Sequence, residues 1–297
     1  MGKNVELHIH LEGCVWNKHI RRRLSSSSFL FPPPNFVYQD NFEKFLAHLR
    51  FRYNFLNSLD AYCEVFNDYL DYCRYNNIIY SELQINKALL DTWNINLRQL
   101  LAKFQSIKSK FETITIKYII DIPWQFSTQI IEEVLTYENL YEDLDVVAIG
   151  FGGDERLAKL DNLMLFKKQF TQTKFKLLCH IGESDNPKAK EIIKLLKPNR
   201  IAHGIKIINW IIEEFRPSNG IDFCLTSNLQ MGVVDNIKVH PIKDIIESQI
   251  PFTLSTDDPA IFNTTLNDEI NLAVGNFKNI TIGSLQENAI KCAFALE

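Results

Sequence analysis

His8 and His10 stand two residues apart in VELHIHL. Successive side chains of an extended strand point to opposite faces, so these two imidazoles share one face. A pair of neutral imidazoles on one face is a ready pair of transition-metal ligands, although His-x-His alone equally fits two core or surface histidines. Further titratable groups recur at the ends of later apolar runs. Glu12 follows the first run, Asp154 and Glu155 follow VVAIGFGG, His180 and Glu183 lie in HIGE, His203 ends RIAH, and Asp257 and Asp258 sit in STDDP.

Each of these residues has a plain structural reading. His180 suits a strand end, Glu183 can cap helix amides, His203 before Gly204 suits a sharp strand exit, and an Asp pair before Pro259 suits a helix start. Taken jointly they have a chemical reading. Three histidines and one aspartate would leave a divalent ion one open position for water and bring that water's pKa toward neutrality. A carboxylate such as Glu183 would then work as acid and base beside it. Adjacent aspartates point in different directions, so one can ligate while its neighbour accepts a hydrogen bond from water or substrate.

The elements that must position these groups can be read from periodicity. Eight short β-branched and apolar runs predict strands: VELHIHL (5–11), IIYSELQI (78–85), TITIKYII (113–120), VVAIG (146–150), KLLCHIG (176–182), RIAHG (200–204), IDFCLTS (221–227) and PFTLST (251–256). Between them SLDAYCEVFNDYLDYCRYN, NLRQLLAKFQSIKSKF, TQIIEEVLTYENLYEDL and AKEIIKLLKP place apolar residues at steps of three and four, as amphipathic helices do. Buried parallel strands alternating with helices, eight times in about 250 residues, predict an α/β fold of the (β/α)8 TIM barrel type, with a doubly wound open sheet as the alternative. In such barrels active sites assemble at the C-terminal ends of the strands, where the titratable groups fall.

The long interval after Glu12 carries RRR (21–23), SSSS (25–28) and PPP (32–34), and then the aromatic helical run NFEKFLAHLRFRYNFL. It reads as a helical cap, roughly 35–75, over one barrel end within a single domain spanning 1–297. The arginine triplet suits a solvated helix end, with phosphate binding as the alternative.

Composition narrows the partners. With 46% apolar, 12% aromatic and 23% charged residues among 297, the chain can bury one sizeable core. Its 32 Lys and Arg against 36 Asp and Glu leave a net charge of −4, without the basic excess of a nucleic-acid surface. No run approaches the roughly 20 apolar residues of a membrane span. MGKNVELHIHLEG lacks a secretory apolar region, and the six cysteines form no Cys-x-x-Cys pair, so a cytoplasmic protein with buried reduced thiols is expected.

The ordered blocks ELHIHLEG, GFGGDE, HIGE, RIAHG, CLTSN and STDDPAIF, between residues 5 and 262, resemble the adenosine deaminase family of purine aminohydrolases. The resemblance implies one Zn2+ per chain, or another divalent transition metal, held by His8, His10, His180 and Asp257. It implies that Glu183 shares its proton with purine N1, that His203 and Asp258 hold and polarise the attacking water, and that Asp258 meets N7. It further implies that the Gly153 N–H meets N3 and that His10 and Glu12 contact substrate. The partner would be a small 6-aminopurine, adenosine or deoxyadenosine first, converted to inosine or deoxyinosine and ammonia. The absence of Pro-Cys-x-x-Cys separates the chain from the zinc deaminases that edit nucleic acids.

Three departures bear on the substrate. Ile181 in HIGE replaces the usual alanine of HAGE and adds bulk near the metal. Glu12 stands where adenosine-specific members carry Asp in HLDG, and HLEG also occurs in relatives acting on adenine or aminodeoxyfutalosine. In SELQIN, Gln84 and Asn86 replace an arginine-containing pattern with neutral hydrogen-bonders. Adenine and aminodeoxyfutalosine deamination are therefore close alternatives. A metal hydrolase of another bond and a non-catalytic purine binder are more distant ones. The cap residues Phe42, Phe45, Leu46, Leu49 and Phe51 resemble a lid over the base, and ordinary helix packing fits them equally.

Overall fold

The computed structural model describes residues 3–23, 37–38, 42–136, 138 and 142–296. Eight strands form one sheet in sequential order, each parallel to the next. They are β1 (Asn4–His10), β2 (Ile78–Asn86), β3 (Thr115–Pro123), β4 (Val146–Gly152), β5 (Lys176–Ile181), β6 (Arg200–His203), β7 (Ile221–Phe223) and β8 (Phe252–Leu254). The ends of the sheet meet: Ile9 bridges to Asp257, the His10 amide donates to the Asp257 carbonyl (3.0 Å), and the Asp257 amide donates to that of His8 (3.1 Å). A doubly wound sheet reverses strand order at its middle, so this order and closure make the fold a TIM barrel with surrounding helices.

The strands are apolar on both faces because one packs on the helices and the other fills the barrel. Ile119, Ala148, Leu178 and Ala202 make a buried cluster separate from the large core between strands and helices. Near the N-terminal end of the barrel Arg200 is fully buried. It donates to Glu82 (2.7 Å), Asp222 (2.9 Å) and the carbonyls of Leu7 and Cys292 (both 2.9 Å). Burial pushes Asp222 up to about 7 while Arg200 pulls it the other way.

Two strands end three or more residues away from where their periodicity places the end. IDFCLTS stops as a strand at Phe223, and Leu225–Gln230 is a helix. Its turn folds the polar TSN residues back over the mouth instead of alternating them along the sheet. β3 runs past residue 120 to Pro123 and so brings Asp121 to the same rim.

The proposed cap divides in two. Helix Leu59–Tyr75, N-capped by the Ser58 hydroxyl, belongs to the outer ring, where Phe66 stacks on Phe104 at 4.0 Å. Among the described residues of this segment, those that line the mouth belong to helix Phe42–Tyr53. The arginine triplet ends helix Asn17–Arg23, and the serine and proline clusters lie outside the described residues. The cysteines form no disulfide, and no helix among the described residues is long and apolar enough to cross a membrane.

Candidate active site

β1, β5 and the end of β8 bring four donors to one point. His180 Nε2 lies 3.0 Å from His8 Nε2 and 3.1 Å from His10 Nε2, and Asp257 Oδ1 lies 3.4 and 3.5 Å from the same two nitrogens of His8 and His10. Ligands bound to one zinc at about 2.0–2.1 Å lie roughly 3–3.5 Å from one another, so the spacings of this donor set fit such an ion. The protonation states agree. Burial pushes His8 and His10 down to about 3 and His180 well below the usual imidazole range, which leaves neutral rings. His180 Nδ1 donates to the Phe151 carbonyl (2.7 Å), so its Nε2 carries a free lone pair toward the cluster. Burial opposes ionisation of Asp257, but His8, His203 and His10 outweigh it and hold the carboxyl below its ordinary value. Cys224 Sγ approaches the other nitrogen of His8, Nδ1, at 3.7 Å and stands behind the cluster.

Two of the site residues have left-handed backbones, unusual without glycine: His203 at φ +67° and Asp257 at φ +63°. The paired amide and carbonyl of Asp257 against β1 hold its turn. Ser227 Oγ, on the helix after β7, donates to Asp257 Oδ2 (2.7 Å) and leaves Oδ1 for the cluster. His203 is set by a longer chain. The Ile242 amide can only donate, and it meets His240 Nδ1 (3.2 Å), so His240 must carry its proton on Nε2. That nitrogen meets Asn228 Oδ1 (3.2 Å), and Asn228 Nδ2 then donates to His203 Nδ1 (3.2 Å). His203 is left with its proton on Nε2.

Glu155 organises the turn that carries Glu183. Its carboxylate accepts from the amides of Gly182, Glu183 and Ser184 at 2.9–3.1 Å. Asp154 is engaged with Arg156 at 2.8 Å through both oxygens. These acidic residues of GGDE are therefore structural, while Gly153, at φ +78°, borders the pocket with its backbone. Burial raises the pKa of Glu183, with the nearby His203 acting in the opposite direction. Asp258 is raised well above the carboxylate range by burial and then by Asp257 and Glu12, and its Oδ1 has no hydrogen-bond partner. The HLEG glycine has a local cause: a Cβ on Gly13 would lie 2.6 Å from Asp258 Cα.

One pocket collects His10, Glu12, Gly153, His180, Glu183, His203, Asp257 and Asp258, and His8 lies fully buried beneath them in the ligand cluster. Helix Phe42–Tyr53 covers it with Phe42, Phe45, Leu46, Leu49 and Tyr53, one face at steps of three and four. Phe45 stacks on Phe262 at 5.6 Å. Phe51 departs from the lid set: it lies on the other face and packs against Phe55 and the main core. Sequence reasoning gave no role to Ser227, Asn228, His240, Asp121 or Trp124. Trp124 Nε1 donates to the His180 carbonyl at 3.0 Å. The CLTSN block contains two of these five; the other three carry no local signal.

Fold and cluster together give a parallel barrel with a group of side chains able to hold a metal ion at its C-terminal mouth. The adenosine deaminase family model matches residues 30–297, and the chain belongs to that family. Over 160 residues it is 32% identical to the aminodeoxyfutalosine deaminase of Acidothermus cellulolyticus, covering 49% of this chain and 44% of that protein. Over 155 residues it is 32% identical to the adenosine deaminase of Vibrio cholerae, covering 50% and 46%. The chain thus matches about half the length of these curated relatives. The crystal structure of the Arabidopsis N6-mAMP deaminase shares the fold with a TM-score of 0.84 at 21% identity, covering 99% of this chain and 93% of that one.

Proposed function

We propose that this protein hydrolyses the exocyclic amine of a 6-aminopurine, with adenosine or deoxyadenosine as substrate, and releases ammonia. The observation that carries the reading is the convergence of His8, His10, His180 and Asp257 within 3.0–3.5 Å beside a half-buried Glu183 that lines the same pocket. A zinc ion held by those four side chains would supply an acidic water. Glu183, whose pKa burial raises, gives its proton to the purine ring nitrogen next to the amine-bearing carbon and makes that carbon electrophilic. His203 presents its Nε2 proton to the oxygen that adds there. Asp258, with an unpartnered Oδ1, meets the water and donates its carboxyl proton to ring nitrogen N7, and the Gly153 amide meets the far ring nitrogen. His10 and Glu12 border the same space.

Zinc-loaded protein is expected to release ammonia from adenosine, with deoxyadenosine, adenine and aminodeoxyfutalosine run alongside. His8→Ala should lose both the turnover and the bound zinc, measured by metal analysis. Protein that holds zinc yet frees no ammonia from any of the four would sink the proposal.

A further inference from the structure

The β1–β3 side of the pocket carries carboxyl oxygens that nothing among the described residues satisfies. Asp121, on β3, is 4% exposed, borders the pocket, and its Oδ1 has no hydrogen-bond partner. Its register partners are Asn86 on β2 and Gly150 on β4. The neighbouring strand makes room for this carboxylate. A Cβ on Gly152 would lie 2.8 Å from Asp121 Oδ2, and one on Gly150 would lie 3.1 Å from Oδ1. GFG in VVAIGFGG therefore opens a seat for one side chain, at the cost of two glycines within a strand. Glu12 stands on the same side. Its Oε1 accepts from the Asn86 amide (3.0 Å) and Tyr62 Oη (3.3 Å), while Oε2 is buried and unpartnered. An unpaired buried acceptor is expensive unless a ligand supplies the donor.

No cation offsets these two carboxyls: among the described residues that border this pocket there is neither Lys nor Arg. Of the basic residues around the mouth, Arg52 donates to the carbonyls of Val15 and Ala260, and Arg156 and Lys206 border a neighbouring cavity on the β4–β6 side, where Arg156 is held by Asp154. One pocket holds the histidine cluster and Glu183 together with Asp121 and Glu12, so a purine whose amine-bearing edge meets the cluster shares its space with these two carboxyls.

We propose that Asp121 and Glu12 form an acceptor subsite that takes a hydrogen-bond donor on the substrate remote from its reacting amine, a sugar hydroxyl or a ring N–H, and rejects a phosphate. This inference rests on the 6-aminopurine reading and adds its substrate class: an unphosphorylated nucleoside or base. Asp121 is a specificity residue because a bound phosphate would face two carboxyls with no compensating cation.

The test uses zinc-loaded Glu183→Gln protein, in which turnover is blocked, and titrates adenosine, adenine and AMP by calorimetry. AMP should bind at least about tenfold more weakly than the better of the other two. Adenosine ahead of adenine marks a sugar hydroxyl as the donor, and the reverse marks the ring N–H. Adding Asp121→Asn, nearly the same shape, should weaken that better ligand about tenfold and narrow its lead over AMP, with the melting temperature unchanged or higher. AMP binding as tightly as adenosine, or a selectivity unmoved by Asp121→Asn, overturns the subsite while the 6-aminopurine reading stands. Binding of none of the three overturns that reading and this inference with it.

Discussion

The two ends of the barrel both bury ionisable groups, and they meet them differently. At the N-terminal end Arg200 meets Glu82, Asp222 and two carbonyls, so each of its nitrogens has a partner, and Asp222 Oδ1 is left unpartnered. At the C-terminal mouth Glu12, Asp121 and Asp258 each keep an unpartnered oxygen, and no Lys or Arg among the described residues borders their pocket. Within a protein a satisfied buried charge contributes to holding a fold, whereas an unsatisfied one persists only where a ligand or ion completes it. Stability and function are thus separated along the barrel axis, and Asp222 lies between them, 4.0 Å from His8 Nδ1.

Substitutions at the two ends should separate these roles. Glu183→Gln is expected to lower kcat by about 10²–10⁴-fold while zinc content and melting temperature hold, as steady-state kinetics with metal analysis will show. An unaffected rate would remove Glu183 from the chemistry. At the opposite end Arg200→Met strands two buried carboxyls and should destabilise the protein by about 3–5 kcal/mol in urea titrations. If it altered kcat with no loss of stability, the division between the ends would fail.

Smaller effects sharpen the comparison. His240→Ala frees Asn228 and with it the proton position of His203, so kcat should fall about 10- to 100-fold with KM and zinc unchanged. His240→Gln, which keeps a donor to Asn228, should recover part of the loss. Equal losses in both variants would mean that His240 only packs.

Phe45→Ala should raise KM more than it lowers stability, and unchanged kinetics would make the helix over the mouth a packing element only. The mildest prediction concerns pH. Burial pushes Glu12 up to about 7 and Glu6 up to about 8, so the folded chain holds protons that the unfolded chain releases near 4.5. Their contribution is full below about 4.5 and is lost as pH rises toward 8. Melting temperatures in chelator should fall over that window, and Glu6→Gln should flatten the slope.

Much of this was legible along the chain. The period of two in VELHIHL places both imidazoles on one face, and the strand ends collect His180, His203 and the Asp pair. Where reading failed, the cause was three-dimensional. IDFCLTS has a strand's composition, yet it turns helical after Phe223 and presents Ser227 and Asn228 to residues 30 and 25 positions away. Asp121 looks like one polar residue closing an apolar run, and only the two facing glycines of β4 show that a seat is made for it. Phe51 belongs to the aromatic run of the cap by composition, and helical phase puts it on the far face.

By itself the sequence determined the strand and helix periods, the barrel they imply and which residue types stand at the strand ends, because these depend on residue type and local spacing. The tertiary structure alone decided which nitrogen of each histidine faces the cluster, which acidic residues of GGDE are occupied by the backbone, and which carboxyls are left without a donor. Those properties arise where segments as distant as His8 and Asp257 or Glu12 and Asn86 meet. Hydrogen bonding and desolvation act through space, and local spacing carries no record of which distant groups approach.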